Sequence, residues 1–387
     1  MTKALCYLDY AAATPLDERV FSAMKPYLTD YFFNPSSPYD PAIQVKREYR
    51  AAKEKIAHTI GATADELVMT AGATESINLA IGSFGGHKIC SEIEHDSVKK
   101  AIQTSESYTL APVDKTGRVD IGKLEAEIND ETQLISVALA NHEIGTIQPL
   151  SDVAALIKKH RELRQQKGNN TQLVLHCDAS QGFGLVDIHV ARLGVDLLTL
   201  NAAKIYGPKQ VGLLWVRPGI KLTARIVGGG QELGLRSGTE NVAGVVGFSE
   251  AVRLADKHRK REVERLGGLR DDLQRRLTEA FPGAIVSGNL RHRLANYLHI
   301  SFPNIDAERL VFMLESSGVL VATGSACAAN KATASAVLRS IGLSEDVANG
   351  SLRLTLGRQT TEDDIQRAAD AIIAAVQQEA KRTKVAL

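Results

Sequence analysis

The sequence predicts an α/β protein, with a mostly parallel seven-stranded sheet flanked by helices and a smaller α+β domain after it. Over about the first 250 residues, short apolar runs alternate with amphipathic stretches, which favours strands connected by helices. Because single cores stop growing near ~250–300 residues, a chain of 387 residues is expected to form two domains. We expect a large domain at 16–250 and a small domain at 1–15 and 251–387.

The predicted strands of the large domain are short runs of apolar residues bounded by polar or glycine-containing turns. They are 66–70, 88–91, 108–111, 132–138, 172–177, 197–200 and 212–216. The predicted helices between them begin near Thr74, His95, Asp120, Ser151 and Val186.

The region after residue 247 predicts a long exposed helix and then a mixed unit. Leucines recur at helical spacing in the highly charged segment 247–280, which is typical of an amphipathic helix. The elements predicted beyond it are strands at 284–286, 297–301 and 352–355 and helices at 306–317, 332–341 and 361–375.

Composition indicates a cytoplasmic protein with reduced thiols and gives no sign of a nucleic-acid or membrane partner. Charged residues make up 24% and the formal net charge is +1, so there is no basic excess for nucleic acid. We expect no secretory signal, since the first residues lack an apolar segment, and no apolar run approaches the ~20 residues that span a bilayer. Four cysteines without a C-x-x-C pair predict neither a zinc site nor a disulfide framework.

Cys327 lies in a stretch of small residues, 323–330. Free cysteines are usually buried, yet this stretch offers little apolar surface to bury a thiol. A thiol presented in a loop can act as a nucleophile once it is ionised. By itself the stretch leaves both a reactive and a structural cysteine open.

The segment 72–76 (Gly-Ala-Thr-Glu-Ser) follows an apolar run and opens a helix-like one. A small-residue turn into a helix N-terminus can bind an anion, since free backbone N–H groups and the helix dipole point at the ligand. Thr74 could add a hydroxyl. The alternative is an ordinary helix cap.

Asp178 and Lys204 each follow an apolar run, 173–175 and 197–200. Ligands bind where the carboxyl ends of strands open into loops, and a desolvated lysine can form a Schiff base. A lysine that holds an aldehyde and an aspartate that keeps a pyridine nitrogen protonated are the pair expected for pyridoxal phosphate. A helix-capping role for Asp178 is the alternative.

Taken together, the motifs resemble those of NifS/IscS-type cysteine desulfurases, class-V aminotransferases with the aspartate-aminotransferase-like pyridoxal-phosphate fold type I. The matching segments run nearly end to end: 7–15, 34–37, 72–76, 94–95, 141–145, 178–181, 204–209, 236–239, 324–327 and 353–358. The resemblance implies a homodimer that converts L-cysteine to L-alanine. It also implies that Cys327 takes the sulfur as a persulfide and passes it to an acceptor protein, an iron–sulfur scaffold or a sulfur relay protein.

The resemblance also implies a role for each site residue. Lys204 would form the Schiff base and move the substrate's α-proton, and Asp178 would pair with the pyridine nitrogen. His95 would stack on the ring and assist proton transfer. Arg353 and Asn34 would bind the substrate carboxylate. The full set implied to bind the cofactor is Ala73, Thr74, His95, His142, Asp178, Gln181, Asn201, Lys204 and Thr239 of the partner subunit.

The chain departs from the family pattern near the cofactor. His142 stands where the family usually has asparagine, and Ala203 replaces the histidine before the lysine. Phe33 and Tyr39 replace a glycine and a histidine. A lost charge-assisted phosphate contact costs ~1.5–3 kcal/mol, or ~10–100-fold in cofactor affinity.

Other functions remain open at this stage. The motifs also suit a selenocysteine lyase or another class-V lyase or transaminase, and the departures suit a weakly catalytic subunit of a sulfur-transfer complex. Iron–sulfur cluster assembly, tRNA thiolation and DNA phosphorothioation each fit as the pathway.

Overall fold

The computed structural model describes residues 5–323 and 335–385. Its strands form three sheets. In chain order they are β1 (Cys6–Tyr7), β2 (Leu67–Thr70), β3 (His87–Ser91), β4 (Tyr108–Ala111), β5 (Thr132–Ser136), β6 (Val174–Asp178), β7 (Leu197–Asn201), β8 (Gly212–Val216), β9 (Ile285–Val286), β10 (Tyr297–Ser301), β11 (Val319–Leu320), β12 (Ala322–Thr323) and β13 (Ser351–Thr355).

The α-helices range from single turns to a helix of 39 residues. They are α1 (Glu18–Met24), α2 (Pro26–Thr29), α3 (Asp40–Ile60), α4 (Ala73–Gly82), α5 (Asp96–Ile102), α6 (Ile121–Glu127), α7 (Leu150–Gln166), α8 (Val190–Leu193), α9 (Val242–Ala280), α10 (Ala307–Ser316), α11 (Ala336–Ser340), α12 (Glu345–Asn349) and α13 (Glu362–Thr383). Short 3-10 turns lie at Ala64–Glu66, Ala202–Lys204 and Glu232–Gly234.

The largest sheet confirms the predicted α/β fold. Its seven strands are ordered β2-β8-β7-β6-β5-β3-β4. Strand β8 runs in the direction opposite to the other six, which are parallel to one another. Each predicted strand is present to within two residues at each end. Because β6 and β7 are parallel neighbours, with Asp178 opposite Thr199, their carboxyl ends open at the same edge of the sheet.

The second region is built on an antiparallel sheet with the order β12-β13-β10-β9. An apolar cluster fills it, with buried side chains from β10, β13, α10 and α13. Helix α9 belongs to both regions, because Phe248 packs in the core of the large sheet and Leu277 packs in the second cluster. We propose that these regions are the two domains expected from the sequence, at 16–250 and at 1–15 with 251–387.

Several helices differ from the sequence-based expectation. The helix predicted near Val186 is wrong: α8 begins four residues later, at Val190, because Phe183 and Val186 form a β-bridge around Gly184, whose φ is +80°. Helix α3 was not predicted, although buried residues recur along it at helical spacing. The helix predicted at 332–341 is present as α11 from Ala336, and its first three residues lie outside the described part.

The N-terminal segment connects the two regions. Leu8 N–H donates to the carbonyl of Leu320 (2.8 Å), and Ala11 N–H donates to Thr355 Oγ1 (2.9 Å). A few residues later, Thr14 Oγ1 donates to the carbonyl of Ala203 (3.0 Å). The segment therefore runs from the small sheet to the end of β7.

Two further properties of the described residues concern their helices and their cysteines. None of their helices is both long and apolar enough to span a bilayer. The three cysteines among them, Cys6, Cys90 and Cys177, are buried free thiols, and burial raises the pKa of each. Cys327 lies outside the described residues.

We predict that Leu198→Ala lowers the free energy of unfolding by about 2–5 kcal/mol, the usual cost of a cavity at a fully buried leucine. Leu198 is 0% exposed in β7, the strand that precedes Lys204. Leu290→Ala, at a position that is 62% exposed, is the control and should change stability by less than about 0.5 kcal/mol. Denaturant unfolding measures both, and equal losses would contradict the core position of β7.

Candidate active site

A cavity of about 230 Å³ opens at the carboxyl ends of β6 and β7. It brings together nearly all of the residues that the sequence implied for cofactor binding. Those that line it are Ala73, Thr74, His95, His142, Asp178, Gln181, Asn201 and Lys204. Residues from five separate stretches of sequence therefore converge on one space.

The N-terminus of α4 forms one end of the cavity. Gly72 precedes the helix with φ +135° and ψ 179°, a backbone conformation that residues with a side chain rarely adopt. Because glycine has no side chain, no side-chain cap covers the N–H groups of the first turn. A Cβ on Gly212 of β8 would lie 2.7 Å from Gly72 Cα, so the two backbones approach closely. The helix N-cap is Gly72 and not Thr74, which leaves the first turn suited to an anion.

Asp178 ends β6 beside this helix. Its Oδ1 accepts hydrogen bonds from Ser180 N–H (3.0 Å) and from Ser180 Oγ–H (2.5 Å), which together fix the carboxylate. Two residues earlier in β6, the His176 ring lies between Ser136 Oγ (2.8 Å) and Thr199 Oγ1 (3.0 Å). Burial lowers the pKa of His176 to about 3, so this ring is a neutral support.

Lys204 follows β7 in a short 3-10 turn. Its Nζ donates to the carbonyls of Ala11 (2.7 Å) and Ala12 (2.6 Å). Tyr206, two residues later, has φ +64°, a conformation that costs a bulky residue roughly 1–3 kcal/mol and often marks a functional turn. It is held there because Tyr206 N–H donates to Thr14 Oγ1 (2.7 Å) and its hydroxyl accepts from Arg358 N–H (2.5 Å).

Two imidazoles lie edge to face across the cavity. The ring centroids of His95 and His142 are 5.0 Å apart with an interplanar angle of 76°. His95 caps α5, and its Nδ1 accepts from Ser97 N–H (3.1 Å). Burial lowers the pKa of His95, and burial with the neighbouring His95 and Arg353 lowers that of His142 further. Both rings are therefore neutral at neutral pH.

Two buried carboxyl groups beside the histidines were not predicted. Glu94 is 3% exposed, its Oε1 accepts from Ala138 N–H (2.8 Å), and burial raises its pKa to about 8. Burial raises the pKa of Glu143 to about 7, and its Oε2 accepts from Ser335 Oγ (2.5 Å). Their only signal in the sequence is that each acidic residue adjoins a candidate histidine.

Arg353 is a buried cation next to the cavity. It lies in β13 and is 5% exposed. Its Nη2 pairs with Asp9 Oδ1 (2.8 Å), and its Nη1 donates to the carbonyl of His142 (3.1 Å). The guanidinium therefore connects the small sheet with the backbone of the cavity wall.

Asn34 and Thr239, also predicted for the site, do not line this cavity. Asn34 is exposed, and its Oδ1 accepts from Ser36 N–H (2.9 Å). Thr239 is exposed and lines a separate cavity of about 110 Å³. Cys327, the predicted nucleophile, belongs to the stretch outside the described residues.

Comparison with known proteins shows the family to which the chain is similar. The family model described as aminotransferase class-V matches residues 6–368. The cysteine desulfurase IscS 1 of Archaeoglobus fulgidus is 39% identical over 375 residues, covering 93% of this chain and 94% of that protein.

Solved structures agree with this placement. A NifS-like protein is 31% identical with a TM-score of 0.89, covering 97% of this chain and 100% of its own. SspA in complex with cysteine is 32% identical with a TM-score of 0.75, covering 90% of this chain and 98% of its own.

We predict that Glu94→Gln reduces the loss of stability that the wild type shows between about pH 4.5 and pH 8. The folded-state pKa is raised from its ordinary value of 4.5 to about 8, so the folded chain holds this proton more tightly than the unfolded chain. That contribution to stability is complete below pH 4.5 and is lost as the pH rises to about 8.

Unfolding measured across this pH range tests the prediction, with Glu106→Gln at an exposed position as the control for loss of one carboxylate. The control should keep the wild-type pH dependence. A Glu94→Gln variant with the same pH dependence as the wild type would show that Glu94 does not hold a proton in the folded protein.

Proposed function

The chain belongs to the class-V aminotransferase family and, within it, to the IscS-like cysteine desulfurases, and on this premise we propose that it converts L-cysteine to L-alanine and transfers the sulfur as a persulfide. The observation that carries the proposal is one cavity lined by Asp178 and Lys204, which follow neighbouring strands, and by the N-terminus of α4. This combination supplies a carboxylate, an amine and an anion site to one ligand.

Pyridoxal phosphate is the cofactor we propose, since the family is pyridoxal-phosphate-dependent and the donor set of this cavity fits the group. The first turn of α4, with Ala73 and Thr74, suits the phosphate. The Asp178 carboxylate suits a protonated ring nitrogen, and the Lys204 amine suits the aldehyde. When bound, the cofactor supplies an electron sink for bond cleavage at the substrate carbons.

Arg353 is the residue we propose for the substrate carboxylate. A guanidinium can bind a carboxylate through two parallel hydrogen bonds, and the salt bridge to Asp9 (2.8 Å) fixes one side of it. Burial strengthens a charge-assisted contact by excluding water, and this side chain is 5% exposed. Asn34 remains a proposal for the same role, with its side chain at the surface of the single chain.

Proton movement in the proposed reaction falls to Lys204 and His95. The Lys204 amine takes the proton from the substrate Cα and later returns one to carbon, as a general base and then an acid. His95, neutral because burial lowers its pKa, can accept the thiol proton of the substrate. The Asp178 carboxylate is positioned by its hydrogen bonds from Ser180 and would hold the proton on the ring nitrogen.

Cys327 is proposed as the sulfur acceptor from its place in the sequence. Its thiolate bonds to the substrate sulfur as the substrate Cβ–S bond breaks, so one S–S bond forms and one C–S bond is lost. Cβ then takes a proton and becomes the methyl group of alanine. The products are alanine and a Cys327 persulfide, and no external oxidant or reductant is required.

The proposal extends to a cytoplasmic homodimer that passes sulfur to an iron–sulfur scaffold or a sulfur relay protein. Thr239 is exposed and does not line the cofactor cavity of its own chain, so the phosphate contact implied for it would need a second subunit. Arg236, three residues earlier, pairs with Glu75 in the first turn of α4 (3.0 Å), so the segment that carries Thr239 is fixed to the anion site.

We predict that Cys327→Ala abolishes alanine formation from L-cysteine, at least 100-fold, because the sulfur has no acceptor, while the visible absorption of lysine-bound cofactor is kept. Ser325→Ala, a change of one atom in the same stretch, is the matched control and should keep activity. Alanine production and cofactor absorption measure both. Unchanged turnover in Cys327→Ala would favour a lyase or transaminase without a cysteine nucleophile.

We predict that Ala203→His raises cofactor affinity by about 10–100-fold, because it adds a charge-assisted phosphate contact worth ~1.5–3 kcal/mol. Ala203 is half-buried beside Lys204, and its N–H donates to Asn201 Oδ1 (3.0 Å). Equilibrium titration with pyridoxal phosphate gives the dissociation constant directly. Ala203→Gln, which adds bulk without a charge, is the control, and an equal gain in both variants would contradict the contact.

A further inference from the structure

We infer that a second cavity, next to Lys204, holds water. Through this water the Lys204 amine exchanges its protons with solvent during the time that it carries the α-proton taken from the substrate. The inference rests on the proposed function, since it needs Lys204 to carry that proton. It adds a solvent path through a second cavity, and of the residues that line this cavity only Lys204 and Gln181 also line the proposed cofactor site.

The two cavities meet at Lys204. Lys204 and Gln181 line both cavities, whereas Ala11 lines only the second cavity. The carbonyl of Ala11 accepts from Lys204 Nζ (2.7 Å) and from Gln181 Nε2 (3.2 Å). The Lys204 amine therefore donates a hydrogen bond to a residue that lines the second cavity.

One face of α9 forms the opposite wall. Ala255, His258, Glu262 and Leu266 all line the cavity, and their spacing of three, four and four residues puts them on a single stripe of the helix. Ala255 and Leu266 are buried, whereas His258 and Glu262 are half-buried. The stripe therefore has apolar groups at its two ends and the polar, partly exposed side chains of His258 and Glu262 between them.

Arg358 completes the mouth. Its guanidinium lies 4.2 Å from the centroid of the Tyr206 ring and pairs with Asp17 (2.8 Å). Both Arg358 and Tyr206 line the cavity. These two partners hold the Arg358 guanidinium in place, and the side chain is half-buried. A charged group in this position keeps the cavity mouth hydrated.

Asn296 indicates that the interior of this cavity is wet. The residue lines the cavity and is 8% exposed. Its Nδ2 donates to the carbonyl of Leu356 (2.9 Å), but its Oδ1 has no hydrogen-bond partner among the described residues. A buried amide oxygen without a partner is costly, and ordered water satisfies such groups in most proteins.

The space is large enough for such water. About 60 Å³ is open to the centres of water molecules, and roughly 10–15 Å³ of such space holds one. The polar side chains on its wall, including Asn296, His258 and Glu262, give a bound water the two to four partners that it requires. Several waters can therefore connect Lys204 with bulk solvent.

The consequence is chemical. When Lys204 takes the Cα proton, its ammonium group carries that proton with two others, and it can give any of them to water and receive a solvent proton in return. Charge and atoms balance in this exchange. If the exchange is faster than return to carbon, the product alanine contains solvent hydrogen in place of the substrate's own.

The experiment uses the cofactor-loaded enzyme, L-cysteine labelled with deuterium at Cα, and mass spectrometry of the alanine formed in ordinary water. Ala255→Leu fills the cavity from α9, and Gly268→Leu on the same helix, where an added Cβ meets no atom within 4 Å, is the matched control. Wild type and control should lose most of the label, whereas Ala255→Leu should retain at least threefold more, with kcat within about twofold.

Equal retention in Ala255→Leu and Gly268→Leu would overturn the solvent path while leaving the desulfurase proposal intact. No alanine from the wild type would instead overturn the proposed function. A crystal structure of the wild-type holoenzyme decides the matter even if Ala255→Leu fails to fold: ordered water on Asn296 Oδ1 supports the path, and a dry cavity contradicts it.

Discussion

The contact on which the rest of the site depends is the pair of hydrogen bonds from Lys204 Nζ to the carbonyls of Ala11 and Ala12. Those carbonyls belong to a segment that is tied to the small sheet, because Ala11 N–H donates to Thr355 Oγ1. A β-bridge between Asp9 and Thr355 fixes the same segment two residues before Ala11. The position of the lysine is thus set by both regions of the chain at once.

Burial around this contact determines which groups carry charge. Lys204 and Arg353 are cations near the two histidines, and their positive charges add to burial in keeping His95 and His142 neutral. The same burial raises the pKa of Glu94 and Glu143. The result is a cavity whose two imidazoles are neutral, beside the Lys204 amine and the Asp178 side chain. A cofactor with a phosphate and a protonated ring nitrogen complements that arrangement.

Local sequence was sufficient to predict the strands and the residues at their ends. Apolar runs such as 197–200 identify the strands, and a lysine or aspartate directly after a run is visible without any tertiary information. Buried groups such as Glu94 were not predictable in this way, because their burial depends on segments far away in sequence. Thr239 lies outside the cavity of the single chain, so its proposed role needs a second subunit, which sequence patterns alone do not define.

The most direct test of the account is to identify the lysine that binds the cofactor. The protein is loaded with pyridoxal phosphate, reduced with borohydride so that the lysine bond becomes permanent, digested, and mapped by mass spectrometry. The account predicts that the added mass lies on the peptide that contains Lys204 and on that residue within it. Label on a different lysine, or no label in a protein that turns over cysteine, would contradict it.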